Sequence, residues 1–383
     1  MFLRAVLPAT FIAALSISGS AFARDQWTPI QAQQWYEQQP WIVGANFTPS
    51  TAVNQIEMWH PDTFDPVTID RELGYAADIG MNTMRVFLHN LMWENDSEGF
   101  KQRLNQYLDI ANKHNIRTLF VLFDSDWDPN PIYGKQKDPV PGVHNSRWVQ
   151  GPGEAILKDD SQYPKLQEYV EGVVGWLADD PRVLGWDLWN EPSNPGGGLY
   201  DYALSAKEKE QHLLNLLPQV YEWARSANPT QPLTAGLWIG DDWSALEKQG
   251  PIEQIQLNES DIISFHDYSW PETFAARVEQ LQGYGRPLIT TEYMARGVGS
   301  TFDGTLAVGK AHNVGMLNWG LVDGKIQTRL PWDSWFHPYT KEEPMVWFHD
   351  IFHADGTPYR QAEADRIKAL SDAPKGVVPE TMP

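Results

Sequence analysis

Eight short apolar runs alternate with amphipathic stretches along this chain, the pattern expected of successive βα units wound around a parallel sheet. The runs are WIVGANF at Trp41 to Phe47, NTMRVFLHN from Asn82, RTLFVLF at Arg117 to Phe123, VLGWDLW at Val183 to Trp189, PLTAGLW from Pro232, DIISFHDY from Asp261, PLITTEY from Pro287 and VGMLNWG from Val314. Helices are expected near Asp70 to Ile79, Gly99 to His114 and Tyr163 to Ala178; in the last, Leu166, Val170, Val173, Val174 and Leu177 keep helical spacing. Eight such units predict an α/β fold, a (β/α)8 TIM barrel, as a single domain over residues 24–383. No low-complexity linker or break in composition divides that stretch, and 383 residues with 42% hydrophobic content suffice to bury a large core.

The N-terminus reads differently. Arg4 precedes an apolar stretch from Val6 to Ile17, and Ser20-Ala21-Phe22-Ala23 supplies the small-x-small pattern of a signal-peptidase site. Residues 1–23 are therefore expected to be a removed signal peptide, and the mature protein to be exported, periplasmic or secreted, with no membrane span. Lys and Arg number 29 against 50 Asp and Glu, a net charge of -21 that repels phosphate backbones and argues against nucleic acid as a partner. With no cysteine there is no disulfide, no thiolate nucleophile and no Cys-bearing metal site. No metal or other cofactor is expected, and a monomer is.

In such a barrel the C-terminal ends of the strands form the active face. The expected strand ends carry Arg85, Asp124, Asn190, Glu191, His266, Tyr268, Glu292 and Trp319, a set more polar and aromatic than barrel packing requires. Glu191 after the fourth strand and Glu292 after the seventh would face each other across the mouth. Opposed carboxylates are the tool of glycoside hydrolysis, one protonating the leaving oxygen while the other attacks the anomeric carbon or activates water.

DLWNEP at Asp187 to Pro192 with TTEY at Thr290 to Tyr293 resembles the paired catalytic segments of clan A glycoside hydrolases, especially family 5. Arg85 in NTMRVF, His266 and Tyr268 in SFHDY and Trp319 in NWG match that pattern in order and spacing. The resemblance implies Glu191 as general acid/base and Glu292 as nucleophile of a retaining β-glycoside hydrolase acting on a polysaccharide or oligosaccharide of glucan, xylan or mannan type. It also implies Asn190 on the sugar 2-hydroxyl, His266 as a polar wall and Trp319 against the sugar's apolar face. Arg85 and Tyr268 are expected to lower the pKa of Glu292, leaving the less compensated Glu191 to hold its proton. One departure stands out: many family members place His near the end of strand three, where this chain has FDSDWD, so Asp124 or Trp127 is expected to take over that sugar contact.

Other readings compete. A noncatalytic carbohydrate-binding barrel shares the aromatic mouth but does not account for both glutamates. The alternating acids Asp124, Asp126 and Asp128 suggest a calcium loop, but Pro129 stands where that pattern needs Gly, and a solvated loop is the simpler expectation. Trp127, Trp238, Trp319, Trp332 and Trp335 are the candidate stacking aromatics, and the long segments 124–162 and 321–343 are expected to wall the cleft.

Overall fold

A computed structural model describes residues 23–380. The expected signal peptide lies outside the described residues except for Ala23, and no described helix is long and apolar enough to cross a membrane.

Each apolar run yields one strand: β1 (Val43–Asn46), β2 (Thr83–Phe87), β3 (Arg117–Val121), β4 (Val183–Asp187), β5 (Leu233–Thr234), β6 (Ile263–His266), β7 (Leu288–Glu292) and β8 (Gly315–Asn318). Neighbours pair in parallel in the order β5-β4-β3-β2-β1-β8-β7-β6. The remaining seam closes beyond β5, where Leu237 forms a parallel bridge to Phe265: its N–H donates to Ser264 O at 3.0 Å, and its carbonyl accepts from His266 N at 2.7 Å. The expected (β/α)8 barrel is the fold of the chain. β5 is shorter than its apolar run, and just beyond it the chain passes close to His266 at Gly236, where a Cβ would stand 3.1 Å from the imidazole Nε2.

Helices cover the outside, each burying one apolar stripe. The helix Ala206–Ser226 is representative: Ser205 and Glu208 cap its first turn reciprocally, and Leu213, Leu216, Leu217, Val220, Tyr221 and Ala224 turn inward at three- and four-residue spacing. The barrel interior is apolar at one end and polar at the other. At the N-terminal end Ile42, Leu119, Leu184, Ile262, Ile289 and Leu317 form a closed cluster, plugged from below by Ala32 and Tyr36 of the helix Pro29–Glu37. Burying each such side chain is worth about 1.5–3 kcal/mol, so this end supplies stability while the other is free to carry charge.

Two register shifts aim the charged residues. In β4, Thr118 pairs with Val183 but Leu119 pairs with Gly185, so Leu184 is an extra residue. Strict alternation from inward-facing Leu184 would send Asp187 out of the barrel; the bulge turns it in. In β7, Phe265 pairs with Thr290 but His266 pairs with Glu292, and the extra Thr291 does the same for Glu292 relative to Ile289.

Candidate active site

Arg85, at the middle of β2 and fully buried, organises the polar end of the barrel. Its Nε donates to Asp187 Oδ2 at 2.9 Å, one terminal nitrogen donates to Glu292 Oε1 and to Asn46 Oδ1, both at 2.9 Å, and the other donates to Asn190 Oδ1 at 2.7 Å. A guanidinium is suited to this, presenting a fixed planar fork of donors that a lysine lacks. The second oxygen of Glu292 accepts from Tyr268 Oη at 2.8 Å.

Glu191 stands opposite. Its backbone φ of 45° is left-handed, an uncommon conformation for a residue with a side chain and one found where surrounding structure imposes it. Its Oε2 accepts from Asn194 Nδ2 at 2.7 Å, and its Oε1 lies 2.6 Å from His266 Nδ1. The same His266 nitrogen is 3.6 Å from Glu292 Oε2, so the imidazole sits between the carboxylates. One oxygen from each glutamate and one ring nitrogen of His266 all lie within 4.8 Å of one another. Arg85 and Tyr268 already donate to Glu292, and Asn194 to Glu191.

Burial is the dominant influence on every acid here. It raises Glu191 to about 7, against which the amide of Asn194 and the charge of Arg85 pull only in part. Glu292 is raised as well, burial outweighing Arg85 and Tyr268. Both partners lower Glu292, as expected, but burial outweighs them and the net shift is upward. Desolvation of a carboxylate at the base of the barrel exceeds what one guanidinium shared with Asp187 returns. The asymmetry between the glutamates survives, because Glu292 has a cation in direct contact and Glu191 has none. Burial also lowers His266 to about 4, so its ring is neutral near pH 7.

The cleft above these groups has an empty volume of about 1140 Å³. Glu191, Glu292, His266 and Tyr268 line its floor and Trp127, Trp238, Trp319 and Trp332 its sides. Trp335 stands behind Trp127, ring centroids 5.0 Å apart and planes within 10°. Trp319 leans edge-on against Phe87 and Trp148, which fix its plane. Segment 124–162 contributes Trp127, His144, Asn145 and Trp148 to the wall, and segment 321–343 contributes Trp332. The two segments are tied together: Gly142 N–H donates to Gln327 Oε1 at 3.0 Å and His144 N–H to Ser334 Oγ at 2.9 Å.

Three of the expected residues form a layer beneath the cleft. Arg85 is one. Asn190 is buried with its amide nitrogen donating to Asp124 and Asp126, both at 3.0 Å. Asp124 is buried too, accepting from Trp148 Nε1 at 2.6 Å. The wall position near the end of β3 is filled by Asp126, so the run of acids is not the solvated loop expected from its sequence. Asp126, Asn46 and Asn194 are site residues that the sequence reading missed. Asn46 carried a signal, being the one polar side chain in WIVGANF, at its strand's C-terminal end; the other two carried none.

No known family model matches the chain. Among curated proteins it is similar to mannan endo-1,4-beta-mannosidase 8 of Oryza sativa subsp. japonica, 28% identical over a stretch covering 32% of this chain and 37% of that protein. The chain thus spans well under half the length of that relative. Solved structures are alike over far more of the chain. A GH5_18 protein from Streptomyces cattleya, in complex with Manb1-4GlcNAc, superposes with a TM-score of 0.59 over 88% of this chain and 82% of its own, at 15% identity. The exo-beta-1,4-mannosidase Op5Man5 from Opitutaceae bacterium strain TAV5 gives 0.57 over 86% and 59%, at 16% identity. The endo-1,4-beta-mannanase from Rhizomucor miehei gives 0.54 over 86% and 97%, at 14% identity. At these identities the likeness is one of fold.

Proposed function

We propose that this chain is a retaining β-glycoside hydrolase of the family 5 type, acting on β-linked manno-oligosaccharides or the ends of β-mannan chains. The observation that carries the reading is the pair of buried glutamates whose oxygens approach within 4.8 Å on either side of His266, one of them gripped by Arg85 and the other not. That spacing suits direct attack, since inverting enzymes hold their carboxyl groups roughly 6.5–9.5 Å apart to admit a water. In the first step Glu191 gives its proton to the glycosidic oxygen as the C–O bond breaks, and a Glu292 oxygen bonds the anomeric carbon. In the second, Glu191 takes a proton from water, whose oxygen displaces Glu292. Tyr268 and Arg85 keep Glu292 ionised and aimed throughout.

The mannan preference rests on what the similar proteins are named for, and the preference for short chains on the two tied wall segments. A panel of β-mannan, β-glucan, xylan and their oligosaccharides tests both. Mannose-containing products released from chain ends or short oligomers are expected; random internal cuts from the first minutes overturn the chain-end reading. Binding to one glycan with no product from any of them overturns the enzymatic one and leaves a carbohydrate-binding barrel.

A pH profile follows from the same geometry. Glu191 must be protonated to act as acid, so kcat/KM is expected to fall as pH rises through about 7. Glu292 must be ionised, so the rate is expected to fall again on the acid side, at a pH above the ordinary glutamate value of 4.5. A profile flat from pH 5 to about 9 contradicts the assignment of Glu191.

A further inference from the structure

Among the described residues Arg277 is the one arginine or lysine that lines the cleft, and the reaction as described does not use it. It reaches the wall from the helix Pro271–Gln282, which follows β6, with its side chain 19% exposed. Its guanidinium packs over the indole of buried Trp243, 4.8 Å from the ring centroid. Trp243 is itself fixed: its backbone N–H accepts no freedom, donating to Gln280 Oε1 at 2.9 Å one turn along the same helix, and its Nε1 donates to the Ile239 carbonyl at 3.0 Å. A guanidinium held against an aromatic face keeps the donors in its own plane free, and it is in position before a ligand arrives.

The protein does not take up those donors. The carboxylate nearest to them is that of Asp267, whose buried Oδ2 lies 3.5 Å from a terminal nitrogen of Arg277 but accepts no hydrogen bond. Ser269 occupies the other oxygen, donating through its backbone N–H at 2.7 Å and through its hydroxyl. A fork of unused N–H donors in a cleft wall is suited to oxygen acceptors. The chemistry of the acceptor follows from the surroundings: Asp126, Glu191, Asp267 and Glu292 line the same cleft, so an anionic group would meet more acidic side chains than basic ones. A neutral sugar hydroxyl meets no such penalty.

The sector of the wall identifies which sugar. Trp238, after β5, lines the cleft and donates from Nε1 to Ser193 Oγ at 2.8 Å, two residues beyond Glu191. Trp238, Asn194 and Arg277 thus come from the ends of β4 to β6, the sector that carries the proton donor, whereas Trp319 follows β8. The oxygen that Glu191 protonates joins the reacting sugar to the departing one, so the side away from Trp319 receives the departing sugar. We propose that Arg277 is a specificity-determining residue: it donates hydrogen bonds to hydroxyls of the leaving sugar and selects neutral glycans over acidic ones. This rests on the reading of Glu191 as proton donor and of Trp319 beside the reacting sugar.

Arg277→Met tests the proposal, because methionine still packs on Trp243 but donates nothing. Two substrates with the same reacting sugar are compared by kcat/KM: a neutral manno-oligosaccharide, and a mannoside of a small phenol whose leaving group has no sugar hydroxyl. The ratio of the first to the second is expected to fall about ten- to a hundredfold, the usual worth of hydrogen bonds to a charged donor. Equal losses on both substrates, or none, overturn the proposal and leave Arg277 a structural support. A wild type that prefers a uronate-bearing oligosaccharide to its neutral counterpart overturns it too. Calorimetric titration in the Glu292→Ala background reads the same contact without turnover. A neutral manno-oligosaccharide long enough to pass the glutamates on both sides should bind about tenfold more weakly once Arg277→Met is added, and unchanged affinity overturns the proposal. A wild type that releases no product while this loss of affinity persists marks failure of the hydrolase reading alone.

Discussion

Glu292→Ala is expected to lower kcat on the order of 10⁴-fold or more while leaving glycan affinity within a few fold. In the proposed mechanism this carboxylate supplies the oxygen that bonds the anomeric carbon, and no other described oxygen is both facing the cleft floor and paired with Arg85 and Tyr268. Glu191→Ala should behave differently. Without a proton donor, substrates whose leaving group is already acidic lose little in the first step, whereas those departing as alkoxides lose most of their rate. Comparing the two variants on one activated and one natural substrate is therefore decisive. Equal losses for both variants on both substrates would dismantle the assignment of roles, whatever their size. Affinity is the control: the stacking walls of Trp127, Trp238, Trp319 and Trp332 are untouched by either change.

The second large effect is on stability. Arg85→Met removes a guanidinium that serves four side chains, leaving Asp187 buried without its cation and Glu292 and Asn190 each short of a donor. Breaking a fully buried ion pair from one side costs about 3–5 kcal/mol, and denaturant unfolding should show a deficit of that order at neutral pH. Its pH dependence separates charge from packing. Asp187 is already raised by burial, and without Arg85 both it and Glu292 rise further above their unfolded values. A group with a raised folded pKa contributes stability that is fully present below its unfolded pKa and is lost as pH rises through the folded one. The deficit should therefore shrink as pH falls toward 4 and widen above 7. A deficit of the same size at both ends would mean that lost packing, not uncompensated charge, is its origin. Arg85→Lys should recover only part, since an ammonium cannot span Asp187, Glu292 and Asn190 at once.

How much of this was legible in the sequence follows from what acts locally and what does not. The strands were, because buried parallel strands write themselves as unbroken runs of Val, Ile, Leu and aromatics, and the two glutamates were placed at strand ends by the same runs. The bulges were not. Nothing in VLGWD or LITTE marks Leu184 or Thr291 as the extra residue, since a bulge is a property of two strands in register. Asp124 and Asp126 look solvated because two-residue alternation beside Pro129 is ordinary loop composition. Asp124 is buried, and Asp126 half-buried, by contacts with Trp148 and Asn190, which lie 24 and 66 positions from Asp124 along the chain. The net rise of Glu292 was hidden for a related reason, although Arg85 and Tyr268 do lower it as expected. The sequence names the partners of a carboxylate but not how much water it loses, and here that loss is the larger quantity.

The left-handed backbone at Glu191 has a further consequence, for the course of directed evolution. A non-glycine residue in that conformation, carrying a carboxyl group whose burial is itself unfavourable, costs about 1–3 kcal/mol in backbone strain alone. Glycine would relieve both penalties. On the proposed role of Glu191, a laboratory lineage screened for heat tolerance without an activity assay is thus driven to discard its proton donor among its earliest gains, and the position works as a built-in conflict between endurance and turnover.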